Sequence, residues 1–164
     1  MQRKAVLVLL AALLLLGACG GPVPNKPQLD RDTEALLAHV DWVYDHIKRT
    51  RAATDAFADV LEEFDLANEL WHIALRLETK NIISLAEEAE GISVPLPEMY
   101  DAHQQYLEAM KHLRIVAETT LEAIETIDPE MMSQVDEHVR QYADSVNKSI
   151  EMYIELMKER REGN

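Results

Sequence analysis

DRDTEALLAHVDWVYDHIKRTRAATDAFADVLEEFD, residues 30–65, carries a seam at Leu36, Val40, Val43, Ile47, Thr50, Thr54, Phe57, Leu61 and Phe64. The steps alternate between four and three, the period of a helix that packs one stripe against its neighbours. The two threonines weaken the middle of the seam. From Leu29 to Ile92 there is no proline, and the only glycine is Gly91. One unbroken helix there would be about 90 Å long at about 1.5 Å per residue. A single domain of this size cannot cover such a rod, so a turn is expected near Glu63 to Asp65. Asp65 is then the N-cap of the second helix. The turn is placed by matching helix lengths, and Thr50 to Asp55 is the competing break.

Working outward toward the C-terminus, the second helix runs to about Glu90, with Gly91 suited to the C′ position. Leu66, Leu70, Ile73 and Leu77 form one apolar stripe. Trp71, Leu75, Ile82, Ala86 and Ala89 form another, turned by about half the circumference. Apolar on both sides, this helix is expected to be the most buried. Ile92 to Pro97 is a tight connector. The third helix begins near Pro97, which suits the first helical position, and its seam is Met99, His103, Tyr106, Met110, Leu113, Ala117, Thr120, Ile124 and Ile127. Asp128-Pro129-Glu130 restarts the chain, with Asp128 as N-cap and Pro129 at N1. The fourth helix carries Met132, Val135, Val139, Tyr142, Val146, Ser149, Tyr153 and Leu156, and is expected to fray after Met157. Short loops make neighbouring helices antiparallel. The expected fold is all-α, an antiparallel up-down four-helix bundle over residues 29–164, with a monomeric body.

Working outward toward the N-terminus, residues 20–28 read GGPVPNKPQ. Three prolines exclude helix and strand, leaving a tether of at most about 30 Å over residues 19–28. Ahead of it come Arg3 and Lys4, the apolar run Ala5 to Leu16, and Leu16-Gly17-Ala18-Cys19. A basic start, an apolar run and small residues before a cleavage point describe a secretory signal peptide, residues 1–18. A run of about 12 apolar residues is too short to span a bilayer. Leu16 to Cys19 resembles a bacterial lipobox. The resemblance implies a diacylglyceryl thioether on the Cys19 sulfur and attachment to a membrane through it. The plainer reading is an ordinary signal peptide with an incidental cysteine, but Cys19 is the only cysteine in the chain. In a bacterium with an outer membrane, Gly20 stands where an Asp commonly signals inner-membrane retention, and there the chain would resemble the outer-membrane class; the sequence leaves the kind of envelope open. The expected place is the cell membrane or outer membrane, on the exported side.

The charge excludes some functions. The chain has 16 Lys and Arg against 30 Asp and Glu, a net charge of −14. Removing the leader takes away Arg3 and Lys4 and no acid. Such a body repels phosphate backbones, so nucleic acid is not an expected partner. It also repels an anionic lipid surface, which leaves the acyl chain to hold it there. Beyond Cys19 no cysteine is left for a disulfide, an iron–sulfur site or haem attachment. No cofactor is implied.

From Trp71 onward the chain resembles a class of small helical bacterial lipoproteins. The shared pattern is Pro95 and Pro97, then His103 with Tyr106-Leu107, an alanine-spaced helix, and Asp128-Pro129 opening the last helix. The resemblance covers roughly the last 95 residues. It implies fold and anchoring and transfers no activity.

Four residues are candidates for a ligand site: Glu78, His103, His39 and His46. His103 lies on the third-helix seam, and Glu78 falls within the apolar arc of the second helix. A buried Glu needs a partner, so Glu78 and His103 are expected within about 4 Å of each other or of another polar group. His39 and His46, seven apart, flank the first seam and could approach the same end; they could equally be a solvated flank. Imidazole and carboxylate suit zinc or copper. Glu69 and His72 form an ExxH pair, but on a polar face. Met99, Met110, Met132, Met152 and Met157 read as core filler, and Glu108 with His112 as a surface pair. No Ser/His/Asp grouping, phosphate loop or HExxH occurs. The expectation is a non-enzymatic, lipid-anchored envelope protein that binds a partner protein or small ligand. The alternative is a zinc- or copper-binding envelope lipoprotein using His103, Glu78 and a first-helix histidine.

Overall fold

The computed structural model describes residues 30–162. Cys19, the leader and the tether lie outside the described residues. Among those described there are four α-helices and no strand: α1 (Arg31–Glu62), α2 (Glu69–Gly91), α3 (Tyr100–Thr126) and α4 (Pro129–Glu162). A short 3-10 turn, Pro97–Met99, leads into α3. The described residues are all-α, as their periodicity predicts. No described helix is long and apolar enough to cross a membrane.

Three of the four described helices, α1, α2 and α4, start where a side chain satisfies their first amides, and α3 starts without one. Asp30 caps α1, accepting from the Thr33 amide and hydroxyl, both at 2.8 Å. The α1 rod runs unbroken through Thr50 to Asp55, so the competing break is not used. The turn after Glu62 falls near the expected place, but its cap differs. Asp65 accepts from the Ala67 amide at 3.1 Å and closes a turn. Asn68, accepting from the Leu70 amide at 3.0 Å, is the N-cap of α2. Gly91 is the last helical residue and has no positive φ. Asp128 caps α4 as expected, accepting from the Glu130 amide at 2.9 Å, with Pro129 at N1.

The left-handed position falls on Ile127 instead (φ 55). The amide of Asp128 reaches back to the Ala123 carbonyl at 2.9 Å, which closes α3 and throws Ile127 outward at 76% exposure. Its expected place on the seam is lost to this turn. The last helix does not fray after Met157 but continues to Glu162. Arg160 holds this end through ion pairs to Glu98, Asp30 and Asp32, and Arg160 and Arg161 face the negative end of the helix dipole.

α3 packs along α4 and against α2, and α2 packs against α1. Alanines at 102, 109, 117 and 123 are buried on α3 and let its neighbours come close. The core contains Leu36, Val43, Phe57, Leu75, Ile82, Met99, Met110 and Leu113. Trp71 joins it and donates from Nε1 to the Val60 carbonyl at 2.6 Å. Only one of the two α2 stripes is core. Trp71, Leu75, Thr79, Ile82, Ala86 and Ala89 are buried, while Leu66, Leu70, Ile73 and Leu77 stand exposed, Leu70 at 74%. α2 is therefore half open rather than the most buried helix. Met132 and Val139 of the α4 seam are also exposed.

Candidate functional site

The centre of α1 is polar where its apolar seam predicted valine and isoleucine. The buried line is Thr33, Leu36, His39, Val43, His46, Thr50, Ala53 and Phe57. His39, His46 and Ala53 face inward, whereas Val40 and Ile47 are only partly buried. A one-residue change is 100° on a helix, so the two histidines expected on a flank become interior. Both are matched by tyrosines from other helices.

His46 is the better satisfied. Its Nε2 lies 3.1 Å from the Leu85 carbonyl, which can only accept, so Nε2 carries the hydrogen. In the neutral ring Nδ1 is then an acceptor, and it receives the Tyr106 hydroxyl at 2.5 Å. Thr50 Oγ1 lies 3.4 Å from the same nitrogen. The indole of Trp42 stacks on the ring with centroids 4.9 Å apart. His39 Nε2 pairs with the Tyr153 hydroxyl at 3.0 Å. The His103 ring meets His39 edge-on, centroids 5.2 Å apart. Ser149 completes the polar interior by donating to the Ala102 carbonyl at 2.8 Å.

These groups are held neutral. Burial lowers the pKa of His39 to about 4, with His103 adding to the fall. Burial likewise lowers His46 and His103. The phenols of Tyr106 and Tyr153 are pushed up by burial. Neutral imidazoles hydrogen-bonded to phenols, His46 through both ring nitrogens and His39 through Nε2, form a structural network. His103 is the exception: its Nδ1 is buried without a hydrogen-bond partner.

The expected Glu78–His103 pair does not form. Glu78 is half-buried and accepts from Asn81 at 3.4 Å instead. The reason is helix phase, since Thr79, one position on, takes the inward place and bonds the Leu75 carbonyl. Thus His39 and His103 come together, His46 lies on the same α1 line, and Glu78 stands apart. Among the described residues no three His, Cys, Asp or Glu side chains gather to hold a metal ion, so the ligand set of His103, Glu78 and an α1 histidine is not assembled.

Sequence reasoning passed over the tyrosines and one further contact. Tyr106 and Tyr153 sit on their seams, and a buried phenol asks for a hydrogen-bond partner; that was the available signal. The other contact is between His112 of α3 and His138 of α4, whose Nδ1 atoms lie 3.0 Å apart. Their rings stack with centroids 5.2 Å apart. The sequence pairs His112 with Glu108 along its own helix, yet Glu108 bonds Lys111. No known protein family, curated protein or solved structure matches this chain.

Proposed function

We propose that this chain is a non-enzymatic, lipid-anchored protein of the bacterial cell envelope. In this reading it is an antiparallel up-down four-helix bundle that docks an amphipathic helix of a basic partner protein. The outward apolar face of α2 carries the reading. Leu70, Ile73 and Leu77 are exposed at spacings of three and four, on the side of α2 opposite its buried residues, and Leu66, in the turn before the helix, is exposed as well. Such spacing matches the anchor pattern of a helix laid against a helix. Contiguous exposed apolar surface of this kind marks interaction sites. The net charge of −14 favours a basic partner through steering and complementarity. A small ligand in the interior is less favoured, because both His46 nitrogens and His39 Nε2 are spent on Tyr106, Leu85 and Tyr153.

The paired contacts support the topology. Val60 with Trp71 and Arg49 with Glu88 run in opposite senses along α1 and α2. Ala102 with Ser149 and His112 with His138 do so along α3 and α4. His39 with His103 and His46 with Tyr106 run in the same sense along α1 and α3. The likeness of Leu16 to Cys19 to a lipobox, and of the chain from Trp71 onward to helical lipoproteins, supports the anchor.

A photo-crosslinking residue at position 73, placed in the full chain in intact cells, tests both halves. The expected product is one discrete membrane-fraction adduct, whose crosslinked peptide is a basic amphipathic segment. Leu70→Glu should remove it, and Cys19→Ser should release the chain from the membrane, since one acylated cysteine is the strong anchor. Adducts to lipid or to a second copy of the chain would overturn the docking reading. A Cys19→Ser chain that still pellets as fully as the unaltered one would overturn the anchor.

A further inference from the structure

We propose that His112 and His138 form a divalent transition-metal site between α3 and α4, with copper(II) the preferred ion. The two Nδ1 atoms are 3.0 Å apart, and each comes from a different helix. Two nitrogens bound to one ion at about 2.0 Å are about 2.8 Å apart at a right angle and about 3.3 Å apart at a tetrahedral angle. The observed separation lies between them. Without an ion, the same contact needs one proton shared along N–H···N. An ion that displaces the proton takes both lone pairs once the rings turn so that these converge on it rather than on each other.

The surroundings hold the two rings in place. Both rings are half-buried, so packing limits their rotamers while a face stays open to solvent. Preorganised ligands lose less entropy on binding than free ones. Glu108 lies one helical turn before His112 and Glu137 adjoins His138; both act on His112 through their charge, although each is ion-paired, to Lys111 and Arg140, and Lys111 acts in the opposite sense. Water fills the remaining positions, since no third His, Cys, Asp or Glu is gathered there. A two-nitrogen chelate with open positions is an exchangeable site. Among common divalent ions copper binds such donors most tightly, ahead of zinc.

The test uses the full chain, purified without a histidine tag and titrated with Cu2+ and separately with Zn2+ by calorimetry. We expect one Cu2+ per chain, bound more tightly than Zn2+, and an electron paramagnetic resonance spectrum with two imidazole nitrogens. His112→Gln and His138→Gln should each weaken binding by about tenfold or more, while His72→Gln should leave it unchanged. Three results would overturn the proposal: no stoichiometric Cu2+ on the unaltered chain, a spectrum lacking the two imidazoles, or binding lost in His103→Leu and kept in the His112 and His138 variants. The spectrum of the unaltered chain decides the matter even if a variant fails to fold.

Discussion

Two interior histidines of the same type have opposite energetic roles. His46 is held at both ring nitrogens, by Leu85 and Tyr106. His103 is as deeply buried, yet its Nδ1 has no partner. Replacing His46 by Ala opens a cavity and strands the Tyr106 hydroxyl, at a cost of about 2–4 kcal/mol. Replacing His103 by Leu removes an unsatisfied polar atom of similar bulk, so stability should hold or rise by up to about 1 kcal/mol. Urea unfolding of the two variants measures both. A His103→Leu loss as large as that of His46→Ala would mean that Nδ1 is satisfied in solution. Neither role was legible in the sequence. The seam rule follows hydrophobicity and chose Val40 and Ile47. An interior His39 or His46 becomes tolerable only when Tyr153 and Tyr106 arrive from distant parts of the chain, and periodicity carries no such information.

At the scale of the helix, periodicity predicted four elements and most of their boundaries. Caps such as Asp128 before Pro129 are local chemistry, so they could be read directly. What periodicity lacks is a sign. Both α2 stripes are apolar at helical spacing, and nothing local says which one meets α1 and α3. The core stripe carries the smaller Thr79, Ala86 and Ala89, which allow close approach; the outer stripe is all Leu and Ile. The turn at Ile127 was hidden for a similar reason. Left-handed backbone is usually read from glycine or asparagine, and a β-branched residue there is an uncommon choice. The two faces of α2 predict a sharp contrast. Leu75→Ala on the inner face should cost about 2–5 kcal/mol through loss of burial and a cavity. Leu70→Glu on the outer face should stay within about 0.5 kcal/mol, as exposed substitutions do. Thermal unfolding of the isolated variants distinguishes them, and a large loss for Leu70→Glu would mean that the outer face is covered within the molecule itself.

For the whole molecule, the neutral interior sets how the fold meets acid. His39, His46 and His103 all titrate below their ordinary value in the folded chain, His39 at about 4. The unfolded chain therefore binds more protons as pH falls below about 6.5, and folding free energy declines with it. The contribution is fully present above about 6.5 and is lost progressively down to about 4. For His39 alone it amounts to at most about 3 kcal/mol. His39 faces His103 and Tyr153, so no carboxylate stands against it to offset the charge. Glu88 near His46 partly offsets the burial there. The surface acids behave differently. Glu88, Glu98 and Glu137 are held below the ordinary carboxylate value by Arg49, Arg160 and Arg140, so their share is lost only at lower pH. Being exposed, they matter less. Urea midpoints should thus fall steadily from pH 6.5 to pH 4, ahead of any carboxylate effect. His39→Phe should lower stability at neutral pH, because Tyr153 loses its partner, yet should flatten the slope across this window. A midpoint that is level between about pH 6.5 and pH 5, or a slope unchanged by His39→Phe, would mean that the interior histidines are not what acid attacks.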